Sequence, residues 1–157
     1  GGIPILLGGI SMGAATVLMA SALGLPEITL REEDPSCLLV IDDFEVSLRY
    51  LPGSDTVMMF TVVALLPEKG RNELFASLLD ANTFFHGTQG FTLAAREDTG
   101  VTLQGVMSMR VLDSANMPVW LQNFVNIAEE WQERCLKYEG KAEEGASESF
   151  SQSMLRV

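Results

Sequence analysis

The sequence predicts an α+β fold in which a twisted antiparallel sheet is flanked by three helices. Short apolar runs that alternate with polar residues are separated by turn signals such as Pro52-Gly53 and Thr99-Gly100. Two other segments, 72–87 and 118–138, place their apolar residues at helical spacing. No regular strand–helix–strand alternation runs along the chain, so neighbouring strands are expected to pair as hairpins.

The first 26 residues contain no charged side chain. The apolar stretch 3–25 is long enough to suggest a membrane span. Its several glycines, and the absence of a preceding basic residue, favour a deeply buried helix over a span or a secretory signal. Gly24 and Pro26 are expected to end this helix. A segment so free of charge is also compatible with a piece that is foreign to the domain.

Apolar and polar residues then follow the two-residue period of β-strands. Strands are predicted at residues 27–31, 37–41, 44–50, 57–66, 91–96 and 101–111. The run 37–41 is continuously apolar, so both of its faces are expected to be covered. In the next strand, Val46, Leu48 and Tyr50 point to one face of the sheet. Gly105 is expected to mark a bulge, because the apolar phase shifts there.

The middle helix is predicted from Leu74, Leu78, Ala81 and Phe85, with Asn72 as the N-cap. In the closing helix Pro118 fits the first turn, and Asp113, Ser114 and Asn116 compete as caps. Its apolar stripe consists of Trp120, Leu121, Phe124, Ile127, Ala128, Trp131 and Cys135. Residues 1–138 are therefore expected to form one domain, followed by an acidic Gly/Ser-rich mobile tail at residues 139–157.

The composition excludes several classes of function. The 157 residues carry a net charge of −11, which disfavours binding to nucleic acid or to anionic membranes. Two distant cysteines and one histidine exclude clustered zinc sites, so neither a metal nor a cofactor is expected.

One short motif is typical of a catalytic serine. Residues 9–13 read Gly-Ile-Ser-Met-Gly and match the G-x-S-x-G pattern of a nucleophile elbow. The stretch 5–26 resembles the elbow region of α/β-hydrolases, in which Ser11 would be the nucleophile. Only two residues precede the apolar run, and His86 is the only candidate base. A Ser11 hydrolase is therefore kept as the alternative to a protein that is not an enzyme.

From about residue 23 to residue 138 the chain resembles the class I type III secretion chaperones, the Tir-chaperone family. The motifs that carry the resemblance are Leu-Gly-Leu-Pro at 23–26, Cys-Leu-Leu-Val-Ile-Asp-Asp at 37–43, Val-Ser-Leu at 46–48, Leu-Leu-Pro at 65–67, Leu-Leu-Asp-Ala-Asn-Thr-Phe-Phe at 78–85, Gly-Phe-Thr-Leu at 90–93, Phe-Val at 124–125 and Ala-Glu-Glu-Trp at 128–131. Each motif is weak alone, and the match rests on their order and spacing together with the small size and acidity of the chain. The charge-free segment 1–26 departs from the family, whose first helix is amphipathic.

The resemblance implies a small homodimer in the bacterial cytoplasm. Such a chaperone binds the N-terminal segment of a virulence effector and keeps it soluble, extended and secretion-competent. The strand residues expected to bind the effector are Ile28, Leu30, Leu38, Val40, Val46 and Leu48. The residues expected at the dimer interface are Leu74, Leu78, Ala81 and Phe85. Leu78→Asp is accordingly expected to split the dimer. A small interaction domain of the same fold remains a third possibility.

Overall fold

The computed structural model describes the backbone of residues 36–154 and the side chains of residues 36–138. Five strands form one sheet: β1 (Ser36–Ile41), β2 (Phe44–Leu51), β3 (Thr56–Ala64), β4 (Thr92–Arg96) and β5 (Gly100–Ser108). Their order is β1-β2-β3-β5-β4, and every neighbouring pair is antiparallel. Helix α1 (Arg71–Asn82) and a 3-10 turn (Thr83–Phe85) connect β3 to β4, and α2 (Asn116–Met154) closes the chain. The α+β class and the antiparallel sheet are confirmed, whereas the predicted first helix and the strand at 27–31 lie outside the described residues.

The helices α1 and α2 pack on one face of the sheet, which we call the inner face. Val46, Leu48 and Tyr50 of β2 lie on it and are buried, as their alternation predicts. The whole apolar stripe predicted for α2 is buried in the same core, which confirms that interpretation. Two-residue and 3.6-residue periods therefore assign these inward-facing side chains correctly.

Gly105 does not mark a bulge, contrary to the sequence prediction. It pairs regularly with Met59, and the irregularity of this ladder lies between Val62 and Ala64 of β3. A Cβ on Gly105 would lie 2.6 Å from Cδ1 of Phe91 and 3.5 Å from Cζ2 of Trp120. The glycine is needed because an aromatic ring rests on the backbone there.

Two side-chain contacts fix α1 and the turn after it. The Asn82 amide nitrogen donates to the carbonyl of Leu93, and its oxygen accepts from the Leu93 N–H, both at 2.9 Å. The Asn82 amide therefore pairs with backbone groups of β4, which is an edge strand of the sheet. The indole N–H of Trp131 donates to the Gly87 carbonyl at 3.1 Å. Together these bonds hold the end of α1 between the sheet edge and α2.

The predicted N-cap of α1 is wrong, whereas at α2 the structure selects one of the three predicted caps. Helix α1 begins after Gly70, whose backbone is left-handed (φ 74°), so Asn72 lies in the first turn. At α2 the Asp113 carboxylate accepts from the N–H groups of Ala115 and Asn116, at 2.8 and 2.7 Å. Asp113 is thus the residue that caps this helix start. The backbone of α2 continues through Met154, across most of the segment predicted as a tail.

Candidate functional site

The outer face of β1 is exposed, which contradicts the expectation that both faces of this strand are covered. Leu38 is 62% exposed and Val40 is 72% exposed. Among the described residues no helix packs over this face, because the buried residues of α1 and α2 belong to the core on the inner side. The continuous apolar run therefore supplies an apolar surface that residues 36–138 leave uncovered.

A groove of about 320 Å³ crosses this outer face. Its apolar lining consists of Leu38, Phe60 and Val62. Ser47 pairs with Leu38 on one side and with Phe60 on the other, so these three residues form one row across β1, β2 and β3. The small serine between two large apolar side chains makes a notch in the row. An incoming apolar side chain fits such a notch.

One end of the groove is acidic. Asp43 and Glu45 complete its lining. Beside them, the β1–β2 turn brings Asp42 to Glu129 of α2. The pKa of Glu129 is raised by loss of hydration and by the nearby carboxylates of Asp42, Glu133 and Asp43. These nearby carboxylates therefore disfavour the charged form of Glu129.

The six residues expected to bind an effector do not form one surface. Leu38 and Val40 lie on the outer face, whereas Val46 and Leu48 are completely buried on the inner face. The reason is register: Leu39 pairs with Val46 and Cys37 with Leu48, so these pairs share the helix-covered side. Ile28 and Leu30 lie outside the described residues. Phe60, Val62 and Ser47 are groove residues that the sequence reasoning missed.

A second apolar surface lies at the end of α1. Leu79 is 70% exposed, Phe84 is 96% exposed and Phe85 is half exposed; we call these three residues the α1 patch. Phe84 and Phe85 have left-handed backbones, with φ of 51° and 56°. Bulky residues rarely adopt this conformation. Exposed aromatic rings on a rarely adopted backbone conformation make this patch a second candidate binding surface.

The predicted dimer residues are mostly on the other side of this helix. Leu74, Leu78 and Ala81 are buried in the core of the chain itself, and α1 packs against β4. Only Phe85 belongs to the exposed side. The helical spacing found a real stripe, but the sheet and α2 already cover it.

The described residues show little that could carry out catalysis. His86 Nε2 lies 2.7 Å from the Asp80 carbonyl oxygen at the end of α1, and both residues are exposed. Ser11 lies outside the described residues. The entirely antiparallel pairing in the described part differs from the parallel sheet that a nucleophile elbow requires. Between residues 36 and 138 no group of three or more His, Cys, Asp or Glu residues is arranged to hold a metal ion. The described helices include none with the length and apolarity to cross a bilayer.

Comparisons with solved structures find the same fold. A chain of the ExsC–ExsE complex is 22% identical, with a TM-score of 0.67 over 80% of this chain and 96% of that one. A chain of the Yersinia pestis secretion chaperone SycH in complex with a YscM2 fragment is 18% identical, with a TM-score of 0.60 over 75% and 97%. A chain of the ExoT–SpcS complex from Pseudomonas aeruginosa is 24% identical, with a TM-score of 0.57 over 74% and 93%.

No curated protein matches the chain. The model of the Tir chaperone protein (CesT) family matches residues 18–132, which is well over half of the sequence. This match covers the sheet, α1 and most of the buried part of α2, and it agrees with the motifs that carried the resemblance. It gives no support to the hydrolase alternative. The chain therefore belongs to the Tir chaperone protein (CesT) family.

Proposed function

We propose that this protein is a type III secretion chaperone that binds the N-terminal segment of a secreted effector and keeps it extended. The observation that carries the proposal is the apolar outer face of β1–β3, which the described part of the chain leaves exposed, in a chain of this family. An unfolded segment can bury apolar side chains on such a face without folding first. The chaperone acts in the bacterial cytoplasm and breaks no bonds itself.

The proposed partner is tested by purification from the native host. The tagged protein is expressed there, the co-purified polypeptide is identified by mass spectrometry, and its secretion is compared with and without the chaperone gene. We expect a secreted protein whose export falls when the gene is deleted. An associated protein that is never secreted, or whose export is unchanged, would contradict the proposal.

The binding surface is tested with a matched pair of variants. Leu38→Ser combined with Val40→Ser removes two exposed apolar side chains from the outer face. Leu65→Ser removes a leucine that is also exposed, 76% by area, but lies in the loop after β3. The double variant should lose the effector while Leu65→Ser retains it. Equal retention by both would place the binding surface elsewhere.

We also propose that the protein forms a symmetric homodimer through the α1 patch. In a two-fold dimer the same patch of both subunits meets itself, so each exposed side chain of the patch contributes to the interface twice. Leu79, Phe84 and Phe85 supply exposed apolar side chains at the end of α1 for that surface. Sedimentation velocity should give a dimer, and a strict monomer at micromolar concentration would overturn this part of the proposal.

The absence of catalysis has its own test. A fluorophosphonate probe should leave the protein unlabelled. Labelling that disappears in Ser11→Ala would restore the hydrolase alternative.

A further inference from the structure

The chemistry of the outer groove indicates which segments it accepts, and this inference rests on the proposed function. Among the described residues that line the groove, the two titratable side chains, Asp43 and Glu45, are both acidic. The remaining lining residues are Leu38, Phe60, Val62 and Ser47. A segment that binds in this groove must therefore place apolar side chains against its apolar lining and a group compatible with negative charge at its acidic end.

The spacing between these two features is set by β2. The notch lies at Ser47, and Glu45 is two residues away on the same face, opposite Val40. Residues two apart in a strand lie about 6.6 Å apart along it. An extended segment has the same repeat, so a side chain that enters the notch places the side chain two residues along it beside Glu45.

We propose that the groove selects an extended segment with a large apolar residue and a lysine or arginine two residues away from it. The apolar residue fills the notch between Leu38 and Phe60. The cation pairs with Glu45 and Asp43.

The test uses the full-length protein and three fluorescein-labelled twelve-residue peptides. Each peptide alternates serine with valine around one central leucine. The position two residues beyond that leucine is lysine, glutamine or glutamate. Fluorescence anisotropy gives the dissociation constants at low ionic strength and again in 0.5 M salt, a concentration that screens exposed charges at distances beyond roughly 5 Å.

We expect the lysine peptide to bind about fivefold more tightly than the glutamine peptide, which is the range of one or two exposed ion pairs. The glutamate peptide should bind most weakly, and the differences should shrink in high salt. Asp43→Asn combined with Glu45→Gln should abolish the preference. Glu68→Gln combined with Glu73→Gln removes two exposed acids that do not line the groove and should leave it unchanged.

The notch has a separate variant. Ser47→Leu fills the space between Leu38 and Phe60, so all three peptides should lose about tenfold or more in affinity. Equal affinities for the three peptides, no binding of any, or unchanged binding to Ser47→Leu would overturn the inference. Dissociation of the dimer in the Leu38→Ser, Val40→Ser variant would overturn it too, because the outer face would then be the dimer interface.

The experiments distinguish a failure of the proposed groove preference from a failure of the proposed chaperone function. If a secreted protein binds through Leu38 and Val40 but the three peptides bind equally, the proposed preference for a cation is wrong and the chaperone function stands. If no secreted protein depends on the chain for export, the chaperone function fails whatever the peptides show.

Discussion

Two adjacent leucines of α1 separate its core side from its proposed interface side. Leu78 is 3% exposed and belongs to the core, whereas its neighbour Leu79 is 70% exposed. We expect Leu78→Asp to unfold the protein and Leu79→Asp to leave it folded but monomeric. The sequence alone predicted that Leu78→Asp would split a folded dimer, and the burial of Leu78 changes that expectation.

The magnitudes follow from burial. Leu78→Asp loses about 2 kcal/mol of apolar transfer free energy. An unpaired carboxylate in the core costs about 3–5 kcal/mol more. The total of about 6 kcal/mol matches the lower end of the ~5–15 kcal/mol by which domains are stable. Leu79→Asp changes a side chain already in water, so its effect on folding should stay near 0.5 kcal/mol.

Urea unfolding followed by tryptophan fluorescence measures the first effect, because Trp120 and Trp131 are both buried. Sedimentation velocity measures the second. A folded, monomeric Leu78→Asp protein would refute the assignment of α1 to the core. A Leu79→Asp protein that remains dimeric would refute the α1 patch as the interface.

Three further predictions concern single contacts. Gly105→Ala should destabilise the protein by about 1–3 kcal/mol in urea unfolding. The new Cβ would clash with the Phe91 ring, which is held edge-on against Phe124 at a centroid distance of 5.2 Å. Gly53→Ala, with no atom within 4 Å of the new Cβ, is the control. Asn82→Ala should cost about 2 kcal/mol, since it leaves the part-buried Leu93 N–H and carbonyl unpaired; an unchanged urea midpoint would contradict this role. Burial, together with the hydrogen bond that the Tyr50 hydroxyl donates to Asp55 at 2.9 Å, raises the pKa of Tyr50 to about 12. Unfolded tyrosine loses its proton from about pH 10, so the Tyr50 contribution to stability should be full below pH 10 and decline between pH 10 and 12. The urea midpoint should change less between pH 9 and pH 11 in Tyr50→Phe than in the unmodified protein. An identical change in both proteins would contradict the contribution of the Tyr50 hydroxyl.

The sequence predicted much of the fold because side-chain direction follows the backbone period. Alternation placed Val46, Leu48 and Tyr50 on one face, and helical spacing placed Trp131 and Phe124 in the core. The proposed binding surface was harder to predict. Leu38 and Val40 lie on the exposed outer face, because their register against β2 puts them on the face opposite Val46 and Leu48.

A signal for the missed groove residues is present in the sequence. Met58, Phe60 and Val62 occupy the outward phase of β3, where a solvated sheet face would carry polar residues. Likewise, α1 carries Leu79 outside its core stripe, and Phe84 follows in the turn. Apolar residues on both sides of one element indicate a second surface beyond the core, although they do not say what covers it.

By itself, the sequence determined the element types, the inward-facing residues and the family motifs, since each depends on local period, turn chemistry or short-range order. Only the tertiary structure decided which side of each element is covered, why position 105 must be glycine, and that the α1 stripe faces the chain's own core. The physical reason is that a periodic pattern distinguishes two faces of an element, whereas the packing of residues distant in sequence decides which face meets protein and which meets solvent.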